Sequence, residues 1–340
     1  MNRTAVMNSN PPASGPAASL LGDVWRRLAR HRQAAVLPVL FVGAVATFAL
    51  LAPGFLSADN LFNVSRQSVY LLIVALAQLV VLIGGGLDLS VGTVVALTSV
   101  VGATVMTLVA QAFPDSPWLA IGAGCAAGMA VGALVGLVNG LGTALLRIPS
   151  FMMTLGMSSV VFGLTLLVSG GVPTQGRPPA FAETFGFGRL AGVPVPSLVA
   201  LVVVAAIYGL LEWTRFGRHL YATGGNARAA ELSGVRTTRV TVTAFAIAGA
   251  LASLAGLLLT ARLDTGESNI GASLPLESIA ACVIAGVSLA GGAGRTIAVV
   301  LGTLLIVLVQ NGMNLMQVGA YAQTIAIGSI LILAMALARR

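Results

Sequence analysis

The sequence predicts an all-α fold, a polytopic transmembrane helical bundle of about ten spans, on three observations. Hydrophobic residues make up 57% of the 340 positions and charged residues only 8%. Mean hydropathy is +0.97, far outside the range of a water-soluble domain. Apolar runs of spanning length recur from residue 34 onward, with no long polar block to separate soluble domains. One integral domain over residues 34–340 is therefore expected, behind a polar segment over residues 1–33.

Residues 1–33 are rich in Pro, Ala, Ser and Asn and close on Arg26, Arg27, Arg30 and Arg32. They read as disordered and then interfacial. The charges sit far inside the chain and the following run is long enough to span, which argues for a cytoplasmic anchor and against a cleaved signal. A crossing needs about 20 apolar residues, at ~1.5 Å of rise each through a core of ~30 Å. Runs of that kind fall at 34–52, 65–84, 90–111, 117–141, 148–169, 190–211, 238–261, 274–290, 296–313 and 320–338.

Arginine placement orients these runs. All eighteen basic residues are arginine. With the N terminus inside, only Arg66, Arg177, Arg189 and Arg262 lie outside, and the other fourteen, Arg3 through Arg340, lie in the cytoplasm. That is the bias expected of inward-facing loops. It supports an even number of spans with both termini cytoplasmic, and it explains the formal charge of +8 without nucleic acid. The absence of lysine removes the phosphate-binding loop GxxxxGK[ST], so any ATP is used by a partner. Cys125, Cys282, His31 and His219 make no credible zinc site. With no His, Cys or carboxylate cluster to mark a catalytic centre, an enzyme is the weakest reading.

Glycine is abundant, at 41 residues. Gly124, Gly128, Gly132 and Gly136 recur every four residues on one face, a stripe that lets helices approach closely, within the subunit or between subunits. Two glycine-rich interruptions break the apolar pattern, GGGLDLSVG from Gly84 to Gly92 and AGVSLAGGAGR from Ala285 to Arg295. In the first, with Gly84, Gly85, Gly86 and Gly92, either Asp88 or Ser90 can cap the helix that restarts; direct solute contact is the alternative. Broken backbone at membrane depth must be buried or face water. In the loop 212–237, NARAAELSG reads as one short exposed helix. Asn226 is its N-cap, Ala229, Ala230, Glu231 and Leu232 its helix formers, and Gly234 its stop.

Three stretches, GGGLDLSVG, GRHLYATGGNARAAELSGV from Gly217 to Val235 and QNGMNLMQVGAYAQ from Gln310 to Gln323, stand in this order, each beside a span. Together they resemble the ribose and xylose permease branch of bacterial ABC importers, over about residues 34–340. The resemblance implies a multi-pass inner-membrane permease subunit for a small polar solute, a monosaccharide. It also implies a dimer of such subunits, here a homodimer, fed by a periplasmic sugar-binding protein and driven by cytoplasmic ATPase subunits. ATP and Mg would be bound by the ATPase and no cofactor by this chain. The general ABC permease signature, Glu-Ala-Ala, three residues, Gly, is matched at Ala229, Ala230 and Gly234, while Arg228 stands where the signature carries Glu. On this resemblance the short helix inserts into a cleft of the ATPase, Leu232 and the alanines giving contact while Arg228 and Glu231 fix orientation.

A solute path should carry polar groups that membrane helices otherwise avoid. Candidates are Asn139, Ser150, Thr154, Gln310, Asn311 and Asn314, with Phe151 at a constriction; the same groups can instead bond helix to helix. Glu277 reads as a first-turn acid after Pro275. The outer loop from Val172 to Leu190 either docks a binding protein or anchors aromatic residues at the interface. A branched-chain amino-acid or nucleoside ABC permease is the nearest alternative. An ion-coupled secondary transporter is disfavoured by the scarcity of intramembrane ionisable residues.

Overall fold

A computed structural model describes residues 37–338. The basic segment expected at 1–33 and the arginines at 339 and 340 lie outside the described residues. The described residues are helical nearly throughout. The elements are α1 (Leu37–Leu51), α2 (Ala58–Ile83), α3 (Val91–Ala112), α4 (Pro117–Ala144), α5 (Ser150–Ser169) and the single turn α6 (Pro179–Phe181), which runs into a π-helical turn, Ala182–Gly186. A two-stranded hairpin follows, β1 (Arg189–Leu190) against β2 (Val193–Pro194). Then come α7 (Val195–Trp213), α8 (Arg215–Gly225), α9 (Ala227–Leu232), α10 (Thr237–Leu263), α11 (Leu274–Ile284), α12 (Thr296–Leu315) and α13 (Ala320–Ala338).

A helix stands in each of the ten expected runs, and among the described residues seven, α2, α3, α4, α5, α7, α10 and α12, are long and apolar enough to cross a membrane. The protein is a polytopic helical membrane protein. Two expectations change. The second run starts at Ala58 rather than 65, because the Ser57 hydroxyl accepts the Asn60 N–H and caps the helix there. The eighth run, expected over 274–290, is helical only to Ile284. Gly286, Gly291 and Gly292 then take positive φ, which turns the backbone out of the helix. Eleven residues at ~1.5 Å each cover only about half of a ~30 Å core.

Helix α2 is the axis of the bundle. Every residue from Ser68 to Ile83 is buried, as expected of a helix apolar on all faces, and α7, α10, α11 and α12 pack around it. The glycine stripe of α4 is consumed inside the subunit. Gly128 lies against Thr98 of α3, and Gly132, Gly136 and Gly140 lie against the α10 backbone at Gly249, Phe245 and Val242. By contrast α5 buries only Thr154, Val161 and Thr165 and leaves most of its surface open.

Loops gather at two ends. At one end, near α2's start, Asn60 and Asn311 exchange side-chain hydrogen bonds of 2.9 Å. On the same side of the bundle, Thr174 bridges Gly266 and Arg177 pairs with Asp264 at 2.8 Å. The other end holds the close of α2, α8 and the 285–295 stretch.

The connection from α10 to α11, expected to lie outside the membrane, instead runs down the side of α3. Gly266 stands against Ala103, the Glu267 N–H donates to Ser99 Oγ at 3.2 Å, and Gly271 packs on Val95 and Gly92. Glycine at 92, 266 and 271 permits this approach, since a Cβ at Gly92 would stand 2.9 Å from Pro275.

Candidate functional site

The first break begins where Gly84 closes α2 and Gly85 takes φ +80°. Asp88 Oδ1 then accepts from the Ser90 N–H at 2.8 Å and from its hydroxyl at 2.6 Å. Ser90 makes no side-chain cap to α3, so of the two expected caps only Asp88 holds an amide, and that amide lies just before the helix.

Three of the polar residues expected along a solute path meet this loop. Ser150 Oγ accepts the Leu87 N–H at 3.0 Å, and Thr154 Oγ1 accepts the Leu89 N–H at 3.1 Å. Asn139 Nδ2 donates to Ser90 Oγ at 2.8 Å. Asn139 and Thr154 are fully buried; Ser150 and Thr154 satisfy otherwise orphaned amides of the break, and Asn139 holds its Ser90 hydroxyl. The others do not join them. Asn311 is paired to Asn60, Asn314 Oδ1 accepts from Gln323 at 2.7 Å, and Gln310 precedes Asn311 on α12. Phe151 is 50% exposed on the open surface of α5, which gives it no wall to constrict against within this chain. An apolar cavity of about 390 Å³ opens between Leu61, Phe62, Val193 and Pro194, and none of the expected path residues lines it.

The second break and the expected coupling segment meet the first one through backbone. Gly292 N–H donates to Ile83 O at 2.9 Å. A Cβ on Gly224 would overlap the Ile83 carbonyl oxygen, one on Gly291 would come within 2.7 Å of Gly224 O, and one on Gly292 within 2.6 Å of Gly225 Cα. Leu220, fully buried, rests on Gly84. Tyr221 Oη donates to Gly294 O at 2.8 Å. Burial first, and then Glu212, push this phenol above its usual range against the pull of Arg295, which keeps it a donor.

Helix α9 is capped as its sequence requires. Asn226 Oδ1 accepts the Ala229 N–H at 3.0 Å, and Gly234, at φ +85°, ends the helix as Val235 N–H returns to Ala230 O at 3.0 Å. Glu231 accepts from Thr237 Oγ1 at 2.8 Å, fastening α9 to α10. Its 3.5 Å contact with Arg228 is exposed and contributes little. Leu232 is 76% exposed, whereas Ala230 is 5% exposed and faces inward. The outward face of α9 is therefore Arg228, Ala229 and Leu232, while Ala230 packs on its own chain.

A helical membrane bundle with two glycine-rich breaks tied to a short exposed helix at one end defines a membrane transport component. Residues 60–338 match the family described as branched-chain amino acid transport system / permease component. The chain belongs to that family and is the non-catalytic permease component of a bacterial ABC importer, a multi-pass membrane protein. Such a permease works with an ATPase and a solute-binding protein. It is 38% identical over 297 residues to the ribose import permease of Bacillus subtilis, covering 87% of this chain and 89% of that one. To the ribose import permease of Escherichia coli K12 it is 35% identical over 293 residues, 85% and 88% of the two chains. To the D-allose transport system permease of the same strain it is 34% identical over 298 residues, 87% and 88%. No solved structure matches the chain.

Proposed function

We propose that this chain carries a monosaccharide across the bacterial inner membrane as one of two identical permease subunits. The chemistry of its relatives' named solutes, ribose and D-allose, supports a neutral polyol. The binding affinity resides in a separate periplasmic protein. ATP and Mg bind the ATPase, and this chain binds neither. All ten helical runs cross the membrane or part of it, with both termini in the cytoplasm, the arrangement that the arginine bias favours. The residues 34–340 form the permease domain and 212–237 its coupling loop.

The observation that carries this reading is the exposed Leu232 on a capped helix whose neighbour α8 is bonded to the second break through Tyr221 and packs Leu220 on Gly84 of the first. An apolar side chain held out on a rigid turn, beside Arg228 and Ala229, suits a cleft on a partner. In this reading the ATPase moves α9, α8 follows, and the displacement reaches the loop 84–90. From there Ser150, Thr154 and Asn139 pass it to α5 and α4.

The test is solute uptake by vesicles that hold the chain with its ATPase and binding protein. Ribose, galactose and allose should compete with one another at low concentration, and leucine should not. Leucine uptake at the expense of sugar would favour the branched-chain amino-acid reading, which the family description alone supports.

A further inference from the structure

The segment that joins α10 to α11 has the wrong chemistry for where it lies. Residues 264–273 are turns rather than helix. From Gly266 to Gly271 they run beside residues 92–103 of α3, a helix long and apolar enough to cross the membrane. They therefore lie within the thickness of the bilayer, beside roughly half of a crossing.

Backbone of this kind cannot face lipid, since each unsatisfied polar group costs several kcal/mol there. Burial does not solve the problem, because Asn269, Ala272 and Ser273 are exposed and Glu267, Ser268 and Glu277 are partly so. Nor do partners, for among the described residues the side chains of Glu267, Ser268, Asn269, Ser273 and Glu277 make no hydrogen bond or ion pair. Exposed in a single subunit, such backbone is either covered by a second subunit or lines a water-filled cavity, and the unpaired carboxylates of Glu267 and Glu277 favour water, since burying them unpaired is costly.

We propose that the turns Glu267–Ser273, with Glu277 on the first turn of α11, line the path of the solute and form its polar subsite in the permease. This rests on the permease reading and assigns the site within it. Asn269 offers an amide donor and acceptor, Ser273 a hydroxyl, and the carboxylates of Glu267 and Glu277 accept from adjacent hydroxyls. That set recognises a neutral polyhydroxylated solute. It is distinct from Ser150 and Thr154, whose hydroxyls bond amides of the break, and from Asn139, whose Nδ2 bonds Ser90 Oγ. The segment is pinned at its upper end, where Asp264 meets Arg177 and Gly266 bridges Thr174, and at its lower end by Gly92 against Gly271 and Pro275. Between these points it presents its side chains from a fixed track.

The experiment uses the assembled transporter in vesicles, with Cys125 and Cys282 replaced and one cysteine introduced as Asn269→Cys, Ser273→Cys or Leu201→Cys. Leu201 lies on the apolar open face of α7, 65% exposed, and reports a lipid surrounding. The probe is methanethiosulfonate ethylsulfonate, charged and membrane-impermeant, with ATP-driven uptake measured before and after. The cysteines at 269 and 273 should react at least about ten-fold faster than that at 201, and their modification should stop uptake, with reduction restoring it, as expected of water-facing positions. Reaction no faster than at 201, or full modification without effect on uptake, overturns the assignment. Uptake before labelling reports on the permease reading separately, so a failure of that reading appears as absent ATP-driven uptake in every variant.

Discussion

Thr154 is a small side chain with a long reach. Its hydroxyl takes the Leu89 N–H while itself donating to backbone carbonyl oxygen, so it holds a loop 65 residues away in sequence. Thr154→Val keeps the shape and leaves that amide unpaired in a buried site, which should cost about 1–3 kcal/mol. Thr154→Ser should recover most of it, and thermal unfolding in detergent measures both. Glycine makes the same point through absence. A Cβ on Gly224 would overlap Ile83 O, whereas one on Gly225 meets nothing within 4 Å. Gly224→Ala should therefore lower stability by on the order of 1–3 kcal/mol and impair uptake, with Gly225→Ala close to the parent in both. Equal behaviour of the two would mean that the junction gives way under load. None of these partners was legible in the sequence. Ser150, Thr154 and Asn139 stand out there only as polar residues in apolar runs, and what they bond is set by contacts more than 45 residues apart.

At the scale of elements, local chemistry decides what can be read beforehand. The helix α9 is visible in NARAAELSG because its cap, its formers and its stop are all within nine residues, and the structure places Asn226 and Gly234 in those roles. The apolar runs are visible because length and hydropathy are local too. Helix α11 and the segment before it are not. DTGESNIGAS carries the marks of an ordinary polar loop, and its descent along α3 depends on Gly266 and Gly271 meeting Ala103 and Gly92, which only the packed bundle provides. The inward turn of Ala230 is similarly a tertiary fact, and it moves the sharpest test of α9 to Leu232. Leu232→Glu places a charge on a residue that touches little of its own chain, so stability should hold. Stimulation of ATP hydrolysis by the loaded binding protein should fall by about ten-fold or more, the scale of a typical coupling between sites. Undiminished stimulation would sink the docking role of α9.

For the whole molecule, the division of labour follows from what the chain contains. It has no lysine for a phosphate-binding loop and, among the described residues, no group of three His, Cys, Asp or Glu side chains that could hold a metal. Its family supplies the permease of an ABC importer, and its geometry supplies a rigid end where α8, Ile83 and Gly292 meet. In the proposed reading, energy enters at that end from another chain, and the solute moves along the irregular backbone of residues 267–273. The most direct measurement of this account is uptake of radiolabelled ribose, galactose or allose into vesicles reconstituted with the chain, its ATPase and its binding protein. Uptake should require ATP on the ATPase side and all three components, and the chain alone should show none under a proton or sodium gradient. Gradient-driven uptake by the chain alone would contradict the account.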